Sequence, residues 1–239
     1  MSEVCRTLAL LHEPGPPALL VSLPANEPEL ALAATEAGAQ GLKVHLNMQH
    51  GASGTRFGSL DEEAAAISAV VAVGLPVGVV PGDAAGAVGA TDVQRLAEMG
   101  LDYVDLYLEA MPAWLLQDCP LGLMAAIGHT DLSVASRLRA VAEHPAIQMI
   151  EASWVPHTGY GTALSAADVC DYTRVVEAMS RRHKPVVVPT QRAIAITDLP
   201  VLAAAGVRAI LIGAVVTGAD ASGVAATTRR FRKALADLR

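Results

Sequence analysis

The feature that most limits what this chain folds into is an alternation of two kinds of apolar run. Short runs rich in Val, Ile and Leu recur at 18–23 (ALLVSL), 41–47 (GLKVHLN), 76–81 (PVGVVP) and 102–109 (DYVDLYLE). Four more follow at 121–127 (LGLMAAI), 147–152 (IQMIEA), 185–190 (PVVVPT) and 208–213 (RAILIG). Longer Ala-rich stretches with helical spacing lie between them, near 27–38, 61–73, 91–99, 131–143, 165–181 and 195–205, with a last one near 217–237. Only the segment after the fourth run is shorter, holding the helix-like MPAWLL. Strand followed by helix, repeated, builds a parallel sheet covered by helices.

The punctuation agrees. Ala37-Gly38, Met99-Gly100 and Ala205-Gly206 each close a helical stretch just before a strand, as a C-terminal glycine does. Thr91, Thr130 or Asp131, and Ser165 stand where an N-cap belongs. Eight strands in 239 residues match a (β/α)8 TIM barrel. The doubly wound alternative lacks a G-x-G-x-x-G after its first strand. No linker interrupts the pattern, so the expectation is one domain over 1–239, with a short cap helix within 1–15.

Composition removes several functions. Hydrophobic residues make up 52%, too many for a disordered chain. A net charge of −7 argues against a nucleic-acid surface. The cluster Arg229, Arg230, Arg232 and Lys233 suits a helix end. Three scattered cysteines, Cys5, Cys119 and Cys170, offer neither a disulfide framework nor a CxxC metal site. The reading is a reducing compartment, most simply cytosol. No apolar run has the length of a membrane span. An apolar, Ala-rich exterior is compatible with a homodimer.

In a parallel barrel, side chains alternate between the interior and the helix layer, and the working end is the C-terminal end of the strands. Parity therefore acts as a filter. In GLKVHLN the apolar set Leu42, Val44 and Leu46 faces the helices, which points Lys43, His45 and Asn47 inward. In DYVDLYLE, Asp105, Tyr107 and Glu109 face inward. In IQMIEASW the inward set is Met149, Glu151 and Ser153. Interior charges must pair or do chemistry. Here they are Lys43, Asp105, Glu109 and Glu151, and a paired structural network is the bland alternative. His129, after the fifth strand, is either a general acid or a loop residue beside a helix cap.

Two further regions stand out. Loops after the seventh and eighth strands of such barrels often hold a phosphate. Backbone N–H groups around Gly213-Ala214 would face the anion, with Arg192 or Gln191 adding a side-chain donor. Two long polar loops, 48–59 (MQHGASGTRFGS) and 154–165 (WVPHTGYGTALS), are placed to act as lids, the second through His157, Thr158 and Tyr160. Neither contains a Walker A order.

The segments TDVQRLAEMGLDYVDL, PVVVPTQRAIAITDLPVLAAAGVRAILIGAVVTG and TTRRF resemble the ribulose-phosphate-binding barrel superfamily. Within it the pattern is most similar to N-acylmannosamine-6-phosphate 2-epimerase, a metal-independent sugar-phosphate epimerase. The resemblance implies a phosphate segment at Gly213 and Ala214. It departs from the family at the end of the third strand, Val79-Val80-Pro81-Gly82-Asp83, where the family has a catalytic lysine. The family's acidic residue after the seventh strand falls near Thr190, and the Gly-Arg that follows it is Gln191-Arg192. Its acidic position late in the fourth strand is Tyr107, flanked by Asp105 and Glu109.

The leading expectation is an isomerase or epimerase acting on a small phosphorylated metabolite by proton transfer next to a carbonyl. Glu151 and Lys43 are the base and acid, or the reverse, since desolvation lowers the pKa of an interior lysine. Asp105, Glu109 and His45 tune that pair. Asn47, Tyr107, His129, Ser153 and Thr190 contact substrate, and Gln191, Arg192, Gly213 and Ala214 the phosphate. No cofactor motif is present. The alternatives are a lyase or aldolase forming a Schiff base on Lys43, a divalent-metal enzyme using Asp105, Glu109, Glu151 and His129, and a phosphate-binding protein without catalysis.

Overall fold

A computed structural model describes residues 5–84 and 88–238. Residues 1–4 of the expected N-terminal segment lie outside them. Eight parallel strands among the described residues close into a barrel in sequence order, the last pairing with the first. They are β1 (Ala18–Ser22), β2 (Gly41–His45), β3 (Val77–Val80), β4 (Tyr103–Tyr107), β5 (Gly122–Ile127), β6 (Met149–Ala152), β7 (Val186–Pro189) and β8 (Ala209–Ile212). Helices fill the crossovers, so the (β/α)8 barrel read from the alternation is the fold.

The parity filter holds. Leu42, Val44, Val104, Ile150 and Ile210 join the apolar layer between barrel and helices. A separate, smaller cluster fills the lower interior with Ala18, Leu20, Tyr103, Met124, Met149, Val187, Ala209 and Leu211. Leu11, from the helix Arg6–His12, completes that cluster and closes the N-terminal end. Asp102 anchors this helix by accepting from the backbone N–H groups of Arg6 and Thr7, both at 2.7 Å. The adjacent carboxylate and burial push the Cys5 thiol up to about 12, burial being the larger cause.

Gly38, Gly100 and Gly206 end their helices with φ of 98°, 87° and 86°, the left-handed turn that glycine adopts without strain. Ser165 caps Ala166–Ser180, accepting from Asp168 N at 3.2 Å. Thr91 does not cap: Ala90–Glu98 begins one residue earlier, after Gly89. The expected 131–143 helix is two pieces, His129–Leu132 and Ala135–Glu143, parted at the extended Val134. The expected 217–237 helix starts at Ala221, after a short turn of helix, Ala214–Thr217, that Gly218 ends. Met48–Gln49 and Arg56–Phe57 pair as a small antiparallel hairpin inside the 48–59 loop.

One glycine is demanded by packing inside the barrel. Gly78 is the register partner of both Lys43 and Tyr103. A Cβ on Gly78 would stand 2.0 Å from Tyr103 Cζ, so the phenol ring fills the place of a side chain. Gly78→Ala must drive that ring into a packed interior, with an expected loss of about 2–3 kcal/mol. Equilibrium urea unfolding measures it. A midpoint unchanged from the parent would show that the ring has room to move.

Candidate active site

The site is built on the C-terminal ends of the strands. β2 carries Lys43 inward, β4 Asp105 and β6 Glu151, each at most 5% exposed. Lys43 Nζ donates to Asp105 Oδ2 at 2.9 Å and also to Glu151 Oε2. These three side chains form the floor of a cavity of about 170 Å³ that opens between the strand ends. His45, Tyr107, Ser153, Thr190, Gln191, Gly213 and Ala214 line its walls.

Asn26, just after β1, locks the exit of β2. Its amide accepts from His45 N at 3.1 Å and donates to His45 O at 2.7 Å. The His45 ring lies against Phe57 and His50 of the 48–59 loop, centroids 4.9 and 4.6 Å away. Its Nε2 is 3.4 Å from Ser22 Oγ. Across the mouth, a Cβ on Gly51 would stand 3.0 Å from the His157 ring, so the two long loops meet over the cavity. His157 in turn packs edge-on to Tyr160.

The electrostatics separate the two carboxyl groups. Burial and the nearby Glu151 push Asp105 well above the carboxylate range, against the pull of Lys43. Burial also raises Glu151, but the Lys43 ammonium, which donates a hydrogen bond to it, more than reverses this and holds it below its usual value. The proton affinities of the two carboxyl groups are thus driven in opposite directions, Asp105 upward and Glu151 downward. For Lys43, burial lowers the ammonium's pKa, and Asp105 and Glu151 override it, so the net shift is upward. This corrects the expectation of a lysine made basic by desolvation. Burial, His50 and Lys43 push His45 well down. Burial, Lys43 and His157 push His50 down to about 4. Both imidazoles are neutral at pH 7.

Four expected site residues lie elsewhere. β4 ends at Tyr107, so Glu109 sits exposed in the following turn. β2 ends at His45, and Asn47 turns out with φ of 52°, donating to Pro81 O at 3.0 Å. His129 opens a short helix on the exposed surface. Arg192 pairs with Asp168 through Nη2 at 2.9 Å and also reaches Thr162. The oxygen and nitrogen set expected for a metal is thus divided between cavity and surface. Among the described residues no three His, Cys, Asp or Glu side chains are grouped to hold a metal ion. At the expected phosphate segment, Gly213 N donates to Thr190 Oγ1 at 3.0 Å.

Ser22, Asn26 and Asp83 are the contributors that sequence reasoning missed. Ser22 had a signal, because it shares the inward face of β1 with Ala18 and Leu20. Asn26 had none, since its partners are the His45 backbone on another strand and the distant Glu63 carboxylate. Asp83 lines the cavity just beyond β3.

The fold and this cavity define a (β/α)8 barrel with a polar floor at the strand C-termini. No family model matches the chain, and no curated protein matches it. Solved structures do. Phosphoribosyl anthranilate isomerase from Thermus thermophilus superposes with a TM-score of 0.64 at 19% identity, covering 93% of this chain and 100% of that one. The Thermotoga maritima enzyme of the same name gives 0.65 at 16%, over 93% and 100%. Thiamine phosphate pyrophosphorylase from Pyrococcus furiosus gives 0.61 at 16%, over 92% and 96%. At such identities the likeness is one of fold. No described helix is long and apolar enough to cross a membrane.

Proposed function

We propose that the chain is an enzyme that moves a proton at the carbon next to a carbonyl in a small phosphorylated metabolite, as a sugar-phosphate isomerase or epimerase. The observation that carries this reading is the buried Lys43, Asp105 and Glu151 group on the floor of an open cavity at the strand C-termini. Buried ionic groups cost stability relative to a well-packed apolar floor. Two carboxyl groups with their proton affinities driven apart are what acid–base catalysis needs.

In this reading Glu151 takes the proton from carbon. The carbonyl oxygen, gaining negative charge, is met by the Lys43 ammonium and the Asp105 carboxylic proton. Asp105 Oδ1 and His45 Nδ1 are buried without a protein partner, and both residues line the cavity. A bound substrate with adjacent oxygen atoms would satisfy them. Return of the proton to the same or a neighbouring carbon completes an epimerisation or an isomerisation. A lysine held as an ammonium by Asp105 and Glu151 is a poor nucleophile, which weighs against the Schiff-base reading.

The phosphate would lie at Gly213 and Ala214. Gly213 has an ordinary extended backbone, and a Cβ there would meet only Ser22, at 3.5 Å. The chain's own packing does not demand glycine, so the space it leaves belongs to the cavity. With Arg192 held by Asp168 and the Gly213 N–H by Thr190, the anion would rest on the backbone N–H groups that begin at Ala214. The names of the phosphoribosyl and thiamine phosphate barrels lend support to a phosphorylated substrate.

A thermal-shift series tests this, pairing sugar and triose phosphates with their dephosphorylated forms. A ligand at 100 times its Kd stabilises by about 2.7 kcal/mol. The expected result is a shift that needs the phosphate and disappears in Gly213→Val. Equal shifts without the phosphate, or none at all, would sink the phosphate assignment.

A further inference from the structure

We infer that the Tyr160 hydroxyl is a substrate-contacting hydrogen-bond donor, aimed into the cavity by Gln191, and that it meets an acceptor oxygen of the bound molecule. This deepens the proposed function and rests on the cavity being the substrate site.

Each proton in the cluster beyond β6 and β7 can be assigned in turn. Val155 N–H donates to Gln191 Oε1 at 3.1 Å. A backbone N–H can only donate, so the amide oxygen faces it. The amide nitrogen then faces Ser153 Oγ at 2.7 Å and the Tyr160 hydroxyl at 3.0 Å. It carries two protons and accepts none, so it donates one to each. Ser153 Oγ accepts from Gln191 and gives its own proton to the Tyr107 hydroxyl at 2.9 Å. Tyr107 donates in turn to the Ser153 carbonyl at 3.0 Å. Only the Tyr160 proton is then left over. The phenol oxygen accepts from Gln191, so its proton cannot turn toward that nitrogen. Among the described residues no other group is hydrogen-bonded to this hydroxyl.

The loop fixes where that proton can go. Tyr160 lines the cavity. Gly161 N–H donates to Gln191 O at 2.9 Å, and Ala193 N–H to Thr162 O at 2.8 Å. Arg192 Nη1 donates to Gly159 O at 3.3 Å and also to Thr162. The residues on both sides of Tyr160 are thus tied to the segment after β7, and the His157 ring packs edge-on against the phenol. A donor held in place before a ligand arrives loses little freedom on binding. Burial pushes the Tyr160 phenol up, so it keeps its proton at neutral pH. Such a group favours a carbonyl, hydroxyl or phosphate oxygen over an ammonium, which has no lone pair to offer.

Neutron diffraction from crystals grown in D2O locates the deuterons without any ligand. The expected map has the Gln191 amide nitrogen facing Ser153 and Tyr160, with the Tyr160 deuteron turned into the cavity. A Tyr160 deuteron pointing at Gln191, which requires the reversed amide, overturns the inference. Calorimetry then follows inorganic phosphate, dihydroxyacetone phosphate and fructose-6-phosphate. Tyr160→Phe is expected to weaken those that bind the parent by about five- to ten-fold. A loss shared by inorganic phosphate places the acceptor on the phosphate, and a loss confined to the other two places it on the carbon chain. Unchanged affinities in Tyr160→Phe overturn the inference. Gln191→Glu supplies a carboxylate oxygen that draws the Tyr160 proton to itself. In that background, removing the hydroxyl should weaken binding by about two-fold or less. An undiminished loss would show that Gln191 does not aim the hydroxyl. If the glutamate variant does not fold, the deuteron positions in the parent decide the same point. A parent that binds none of the three compounds, with its Tyr160 deuteron facing the cavity, would sink the phosphate assignment of the proposed function and leave the aimed donor standing.

Discussion

Glu151→Gln is expected to lower turnover of the phosphorylated substrate by about 10³- to 10⁴-fold while leaving its binding within a few-fold, because it removes the base and keeps the shape. The accompanying pH–rate profile follows from the two carboxyl groups. Glu151 lies below its usual pKa. The active, ionised form is therefore lost only as pH falls through that lowered value, and the acid limb lies below the ordinary glutamate range. Asp105 is raised. Its proton is lost as pH rises through the raised value, which sets the alkaline limb. Asp105→Asn keeps a donor at that position and should flatten the alkaline limb alone. Turnover in Glu151→Gln within ten-fold of the parent would remove Glu151 from the chemistry.

Lys43→Met should be the most destabilising change at the site. It leaves Asp105 and Glu151 buried as facing carboxyl groups with no cation between them. Removing one partner of a buried ionic group costs about 3–5 kcal/mol. The penalty is pH-dependent, and its sign can be worked out. Without the ammonium both carboxyl groups are raised above their unfolded values. Groups so raised contribute stability that is complete below the unfolded pKa and is lost as pH rises through the folded one. The deficit is therefore largest at neutral pH and shrinks toward pH 4–5, about the unfolded carboxyl range. Adding Glu151→Gln should restore part of the loss at pH 7. Denaturant unfolding at both pH values measures this. A deficit under about 1 kcal/mol at pH 7 would mean that water, not Lys43, solvates the two acids.

The fold was legible because its signals are local. The Val- and Ile-rich run, the Ala-rich helix and the glycine between them recur often enough to imply closure. Period-two parity then placed Lys43, His45, Asp105, Glu151 and Ser153 inside without any distance. What parity does not give is where a strand stops. Asn47 and Glu109 share the face of their inward neighbours, but each lies past the last paired residue, where the backbone turns away. Strand ends are set by pairing with neighbours far along the chain. Arg192 was lost to the site for a related reason. Asp168 is 24 residues away, and only helix packing brings it to the guanidinium.

The sequence by itself determined the (β/α)8 scaffold, the helix that closes its lower end and the identity of the floor residues, because these follow from periodicity and from caps within a few residues. Only the tertiary structure decided the proton affinities. A lysine alone in an apolar barrel would be driven toward the neutral amine. Lys43 meets Asp105 and Glu151 across the closed sheet, from 62 and 108 residues away, and is held as an ammonium instead. Burial and Coulomb attraction oppose each other at this site, and the balance between them depends on distances that closure of the barrel alone sets.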